Sequence, residues 1–83
     1  MARLLFFGKL GDLAGGRLRD QALPEGVSTV AQLISALGKD DPALGEALLA
    51  PSIRFAVNEN MAAGDAAIRD SDEIAFLPPV SGG

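Results

Sequence analysis

The residues best placed to do chemistry in this chain are the last ones, Pro78-Pro79-Val80-Ser81-Gly82-Gly83. Consecutive prolines favour an extended path that carries the backbone away from a folded body. Gly82 and Gly83 have no Cβ, so the backbone there is thin enough for a narrow channel in another protein. The α-carboxylate of Gly83, with an ordinary pKa of about 3.3–3.7, is ionised at neutral pH. Such a carboxylate becomes an acyl donor once ATP, used by a partner enzyme, converts it to a mixed anhydride. A sulfur nucleophile that displaces the nucleotide then leaves a thiocarboxylate on a movable arm. Taken alone, Gly-Gly reads better as a frayed terminus; the whole run from Asp72 to Gly83 shifts the balance.

The rest of the chain offers little competition. It contains no His, Cys, Tyr or Trp, so the usual general bases, thiolate nucleophiles and soft metal ligands are missing. Without Cys, covalently carried sulfur has hardly any other place to sit. Eleven carboxylates remain. The spacing of Asp70, Asp72 and Glu73 fits a solvated turn better than a metal site, and Asp40 and Asp41 fit helix caps. No cofactor is expected to be bound by this chain itself. The net charge of −4, with arginines and lysines scattered, excludes an electrostatic nucleic-acid binder. No apolar run approaches a membrane span or a signal-peptide core. A cytoplasmic protein is expected, in keeping with the lack of disulfides.

Eighty-three residues make room for one domain, 1–83, with 78–83 as its extended tail. Leu4-Leu5-Phe6-Phe7, within Arg3–Leu10, predicts a strand apolar on both faces, followed by a loop marked by Gly8, Gly11-Asp12 and Gly15-Gly16. Arg17–Leu23 predicts a more polar strand in a hairpin with the first. Thr29 as cap, Gln32 three residues on, and the stripe Val30, Leu33, Ile34 and Leu37 predict a helix that stops at Gly38. Asp41 and Pro42 open a second short helix through Leu44 and Leu48. Ile53, Phe55 and Val57 alternate inward with Arg54 and Ala56 outward. Asn58-Glu59-Asn60 reads as a turn, and a short strand is plausible at 66–68. The last strand, Glu73 to Leu77, ends at two prolines that cannot donate to a ladder. The order predicts an α+β domain in the ubiquitin-like β-grasp arrangement, a mixed sheet with one main helix packed across it and a short second helix.

Leu4-Leu5-Phe6-Phe7, Thr29-Val30 with Leu33, Ala56-Val57-Asn58, and above all Asp72-Glu73-Ile74-Ala75-Phe76-Leu77-Pro78-Pro79-Val80-Ser81-Gly82-Gly83 resemble the small subunits of molybdopterin synthases, which are ubiquitin-like sulfur carriers. The resemblance implies a complex of two small and two large subunits. It implies adenylation of Gly83 by an activating adenylyltransferase, then sulfuration. The thiocarboxylate would enter the large subunit and give its sulfur to cyclic pyranopterin monophosphate, with the pterin substrate and most catalytic side chains held there. The chain would thus act as the sulfur-donating subunit of a sulfurtransferase. Where relatives often carry Arg-Glu after the first strand, this chain has Gly11-Asp12, with Lys9 as a candidate substitute. Delivery to thiamin, cysteine or tRNA, attachment to lysines, and a plain interaction module are the alternatives.

By parity Phe7 and Leu77 face away from Phe6 and Phe76. If a helix covers the latter, Phe7 and Leu77 look outward beside the tail, with Met61 near them. The resemblance places these three, with Pro78, Pro79, Val80 and Ser81, at the subunit interface. An exposed apolar cluster commonly marks a protein-binding site, although each could instead fill a core.

Overall fold

The first strand, β1 (Ala2–Phe6), alternates as the sequence demands: Ala2, Leu4 and Phe6 are fully buried, while Arg3 is exposed and Leu5 half-buried. The computed structural model describes residues 1–79. After β1 come α1 (Lys9–Ala14), β2 (Leu18–Gln21), α2 (Val30–Asp40), α3 (Pro42–Leu48), β3 (Arg54–Val57), β4 (Asn60–Ala62) and β5 (Glu73–Leu77). The strands form one mixed sheet in the order β2-β1-β5-β3-β4. β1 and β5 run parallel, and the other pairings are antiparallel. Central β5 buries Ile74 and Phe76 completely on the face shared with Leu4 and Phe6. With α2 laid across that face, this is the β-grasp arrangement expected from the element order.

Thr29 Oγ1 accepts from the Gln32 amide at 3.2 Å, satisfying one free donor at the start of α2. The Gln32 side chain reaches back to the amide of Ser28 at 2.7 Å, one residue before the position a capping box would use. Val30, Leu33, Ile34 and Leu37 are all buried and meet Leu44 and Leu48 of α3 in the same core. Phe6 and Phe76 stack at 5.3 Å between ring centroids, and Phe55 meets Phe76 edge-on at 6.0 Å. Each fully buried side chain of this size contributes roughly 1.5–3 kcal/mol. That is large against a typical net stability of about 5–15 kcal/mol, and it explains how a chain without disulfides holds its shape.

Several boundaries differ from the sequence reading. Gly38 does not stop α2, which continues to Asp40. A Cβ on Gly45 would lie 2.5 Å from the Gly38 Cα, so these glycines let α2 and α3 touch backbone to backbone. Asp41 ends α2 and caps α3, its Oδ1 accepting from the Leu44 amide. The glycine-marked loop contains the six-residue α1, which exists because Leu10 packs into the core at 3% exposure. Arg19 fixes the far end of α1, donating to the Ala14 carbonyl with its guanidinium over the Phe6 ring. Leu10 is thus helical, and β1 stops at Phe6.

Asn58 and Glu59, at φ 51° and 69°, form a two-residue turn joining β3 to β4, the tight hairpin connection whose twist suits the strands. β4 was missed because three residues, Asn60-Met61-Ala62, carry no periodicity. The strand proposed at 66–68 is a single bridge between Ala67 and Thr29. Among the described residues no helix is long and apolar enough to cross a membrane.

Candidate functional site

The register of the sheet determines what the face away from the helices presents. Arg3 and Leu5 of β1 point there because Leu4 and Phe6 point inward. Leu5 pairs with Leu18 on β2 and with Ala75 on β5; Ala75 pairs with Ala56 on β3, and Ala56 with Met61 on β4. Leu18, Leu5, Ala75, Ala56 and Met61 therefore make one apolar row crossing every strand. Its ends stand exposed, Leu18 at 52% and Met61 at 67%, while the central alanines fall to 8% each. A shallow trough results, with alanine floor and larger walls. Ala56 faces outward as expected, yet it is buried, its short side chain lying in the trough beside the longer Met61.

The next row towards the end of β5 holds Phe7, Leu77 and Arg54. The Phe7 amide continues the ladder, donating to the Phe76 carbonyl at 3.1 Å, and Leu77 is opposite Arg54. Phe7 is 36% exposed and Leu77 half-buried. Phe7 and Leu77 are thus neighbours at the root of the tail. Met61 shares their face but lies one row back, on the edge strand. The opposite row is polar: Asp20, Arg3, Glu73 and Asn58, with Arg3 Nε donating to Asp20 Oδ1 at 3.2 Å.

The tail root is braced from below. Pro78 is half-buried and Pro79 exposed, and a Cβ on Gly8 would stand 3.0 Å from Pro78 Cγ. Gly8 has φ 57° and ψ −137°, a combination open to glycine and strained for any other residue. Val80, Ser81, Gly82 and Gly83, the remaining proposed partner-binding and reacting residues, lie outside the described residues.

Nearby features do not add a second chemistry. A hollow beside the tail root is lined by Phe6, four glycines (Gly8, Gly11, Gly15 and Gly16), Asp12 and Arg17. The amides of Gly11, Gly15 and Gly16 are already donated, to the carbonyls of Gly8, Asp12 and Gly11, so these three glycines do not form a phosphate cradle of free N–H groups. Among the described residues no cluster of carboxylates is arranged to hold a metal. The acidic turn is structural instead. Asp72 accepts from the Arg69 amide and from Asn58 Nδ2, while Asn58 Oδ1 accepts from the Glu73 amide. Asp70 has its carboxyl held below the usual range, chiefly by the Leu23 amide at 2.8 Å and then by the N-terminal ammonium at 3.1 Å.

Sequence reasoning put Phe7 and Leu77 on this face by parity and set Met61 beside them from its place after the turn and from the resemblance. It did not single out Leu5, Leu18, Ala56, Ala75 and Arg54. Parity places each of these on the open face, but only the register shows that they adjoin.

Comparison with known proteins completes the picture. The ThiS family model matches residues 4–83. The molybdopterin synthase sulfur carrier subunit of Escherichia coli is 31% identical over 83 residues, all of both chains. The structure of SAMP1, a small archaeal modifier protein from Haloferax volcanii, superposes with a TM-score of 0.81 at 32% identity, covering 99% of this chain and 98% of that one. CysO of Mycobacterium tuberculosis superposes with a TM-score of 0.74 at 25% identity, covering 96% and 100%.

Proposed function

This chain belongs to the ThiS family and is a ThiS-type sulfur carrier, and on that premise we propose that Gly83 carries the sulfur as a terminal thiocarboxylate for building molybdopterin. The observation that carries this reading is that the family match runs through residue 83, so Gly82 and Gly83 belong to it. The side-chain inventory agrees: a chain without His or Cys delivers a reactive group and leaves acid–base work to others.

In the proposed cycle an activating adenylyltransferase binds the carrier, and the Gly83 carboxylate attacks the α-phosphorus of ATP, releasing pyrophosphate. Hydrosulfide displaces AMP from the acyl adenylate and leaves the thiocarboxylate on Gly83 with loss of a proton. Where the sulfur arrives as a persulfide, the acyl disulfide first formed is cleaved by a thiol, which leaves as a disulfide with the donor. The open face then docks on a large subunit through Phe7, Leu77 and the apolar row, and Pro78 to Gly83 thread its pocket. There the thiocarboxylate sulfur attacks a side-chain carbon of cyclic pyranopterin monophosphate, and the carbon–oxygen bond at that carbon breaks. Hydrolysis of the thioester so formed frees the carrier carboxylate and leaves the sulfur on the pterin. A dithiolene holds two sulfurs, so two carriers are consumed per pterin, which matches a complex with two copies of each subunit. The cycle suits a reducing cytoplasm.

The likeness to CysO and to a small archaeal modifier favours a second reading, in which the same tail serves cysteine synthesis or protein modification. Intact-mass analysis of the chain from its host tests the chemistry: one terminal oxygen should be replaced by sulfur. Co-purification of a pterin-binding large subunit supports the first reading; isopeptide-linked targets support the second. Deleting Gly83 should abolish sulfur transfer with the thermal midpoint unchanged. Undiminished transfer by that truncated chain rejects the mechanism.

A further inference from the structure

Charge on the open face is sorted along the strands. The acids that the register places there, Asp20 and Glu73, lie in the row farthest from the tail, with Glu59 in the adjoining turn. Asp20 is already engaged with Arg3. At the tail end the row Phe7, Leu77, Arg54 carries one charge, and Arg54 is exposed with no ion pair or hydrogen bond from its side chain among the described residues. Lys9, two residues beyond Phe7, is exposed and equally unpaired among them. Asp65 follows β4, but there the chain has turned to the helix side, where the Ala31 amide donates to the Gly64 carbonyl.

Distance keeps the two ends separate. Glu73 is four residues before Leu77 on the same strand, roughly 13 Å at about 3.3 Å per residue. That exceeds the screening length of about 8 Å at physiological salt. The hollow beside the tail root adds exposed Arg17 and exposed Asp12. In a chain of net charge −4, Arg54, Lys9 and Arg17 thus outweigh Asp12, and the tail root is locally cationic, flanked by apolar surface.

We propose that Arg54 is a docking charge that pairs with a carboxylate at the mouth of the pocket receiving the tail, so that the partner presents an acidic rim around an apolar platform. The inference rests on the reading that the open face docks a tail-receiving protein, and it specifies that protein's chemistry. A guanidinium fork matches a carboxylate with two parallel hydrogen bonds. It adjoins Leu77, the last residue before the prolines, so the pair forms where the tail enters and sets its register. A neutral or basic mouth would leave Arg54 unpaired beside a desolvated apolar contact.

The test measures association of the folded chain with the tail-receiving large subunit of its own host at low and physiological salt. Arg54→Glu should weaken binding by about tenfold or more, chiefly in the association rate, and remove most of the salt dependence. Arg54→Gln should fall between Arg54→Glu and the parent, with the thermal midpoint unchanged in both. Glu59→Lys, a charge reversal of equal size at the far end, should stay within about twofold. A Lys at the contacted acid of the large subunit should restore binding to Arg54→Glu. If both Arg54 variants bind like the parent while Leu77→Asp abolishes binding, the charge proposal is overturned and the docking face stands. If Leu77→Asp also binds normally, the docking reading falls with it.

Discussion

Replacing Gly8 by Ala separates the strain stored under the tail from the direction in which the tail points. Gly8 combines φ 57° and ψ −137° with a prospective Cβ only 3.0 Å from Pro78 Cγ. Backbone strain of this type costs about 1–3 kcal/mol, and the crowded proline must also move. A total near 2–3 kcal/mol is expected for Gly8→Ala. Gly15 is the control: its φ is 80° with nothing within 4 Å of a prospective Cβ, so Gly15→Ala should cost only about 1–2 kcal/mol. Because each kcal/mol lowers the midpoint of a domain this size by roughly 4–8 °C, thermal unfolding resolves the two. The functional assay follows single-turnover sulfur transfer from thiocarboxylated variants to the acceptor, well below both midpoints. Misplacing a reacting group by an ångström can cost up to about a hundredfold. Gly8→Ala should therefore slow transfer by about tenfold or more, while Gly15→Ala transfers at the parent rate. Equal rates for both, in samples fully folded by circular dichroism, would refute a positioning role for the Gly8–Pro78 contact.

The remaining predictions concern packing and pH. Gly45→Ala places a Cβ 2.5 Å from Gly38 Cα; overpacking of about 1–3 kcal/mol should outweigh the helix-propensity gain of about 1 kcal/mol. Its thermal midpoint should drop by several degrees, and a rise would show that α2 and α3 can separate freely. Asp70 is held low by the Leu23 amide and the N-terminal ammonium, so its contribution is present above the unfolded-state value and is lost as pH falls through the lower folded value. Below about pH 4 the midpoint of the parent should fall more steeply than that of Asp70→Ala. Parallel curves would remove Asp70 from the acid response.

The inner face of this fold was readable from residue order because its signals are periodic. Leu4 and Phe6, Ile74 and Phe76, and the α2 stripe from Val30 to Leu37 are all buried where alternation or helical spacing places them. The Thr29 and Asp41 caps were readable because a side-chain oxygen next to free amides leaves few alternatives. α1 was not, since glycines punctuate it and one buried leucine decides its conformation. Gly38 was misread for a related reason: glycine at a helix end and glycine at a helix contact look alike in sequence. For the candidate site, parity located Phe7 and Leu77. That Met61 completes a row with Leu18, at the opposite edge of the sheet across Leu5, Ala75 and Ala56, is a property of cross-strand register. Arg54 drew no notice as the ordinary polar half of an alternating strand; its neighbour on β5 gives it meaning.

Because β5 lies between β1 and β3, the arm at its end is rooted in the middle of the sheet and not at a margin. Traction on a captured arm, as when a spent carrier is withdrawn from a deep pocket, is shared by ladders on both flanks and loads them lengthwise. Nothing can peel away one bond at a time, as an outermost strand would. The body can therefore be hauled off by its own appendage without coming undone.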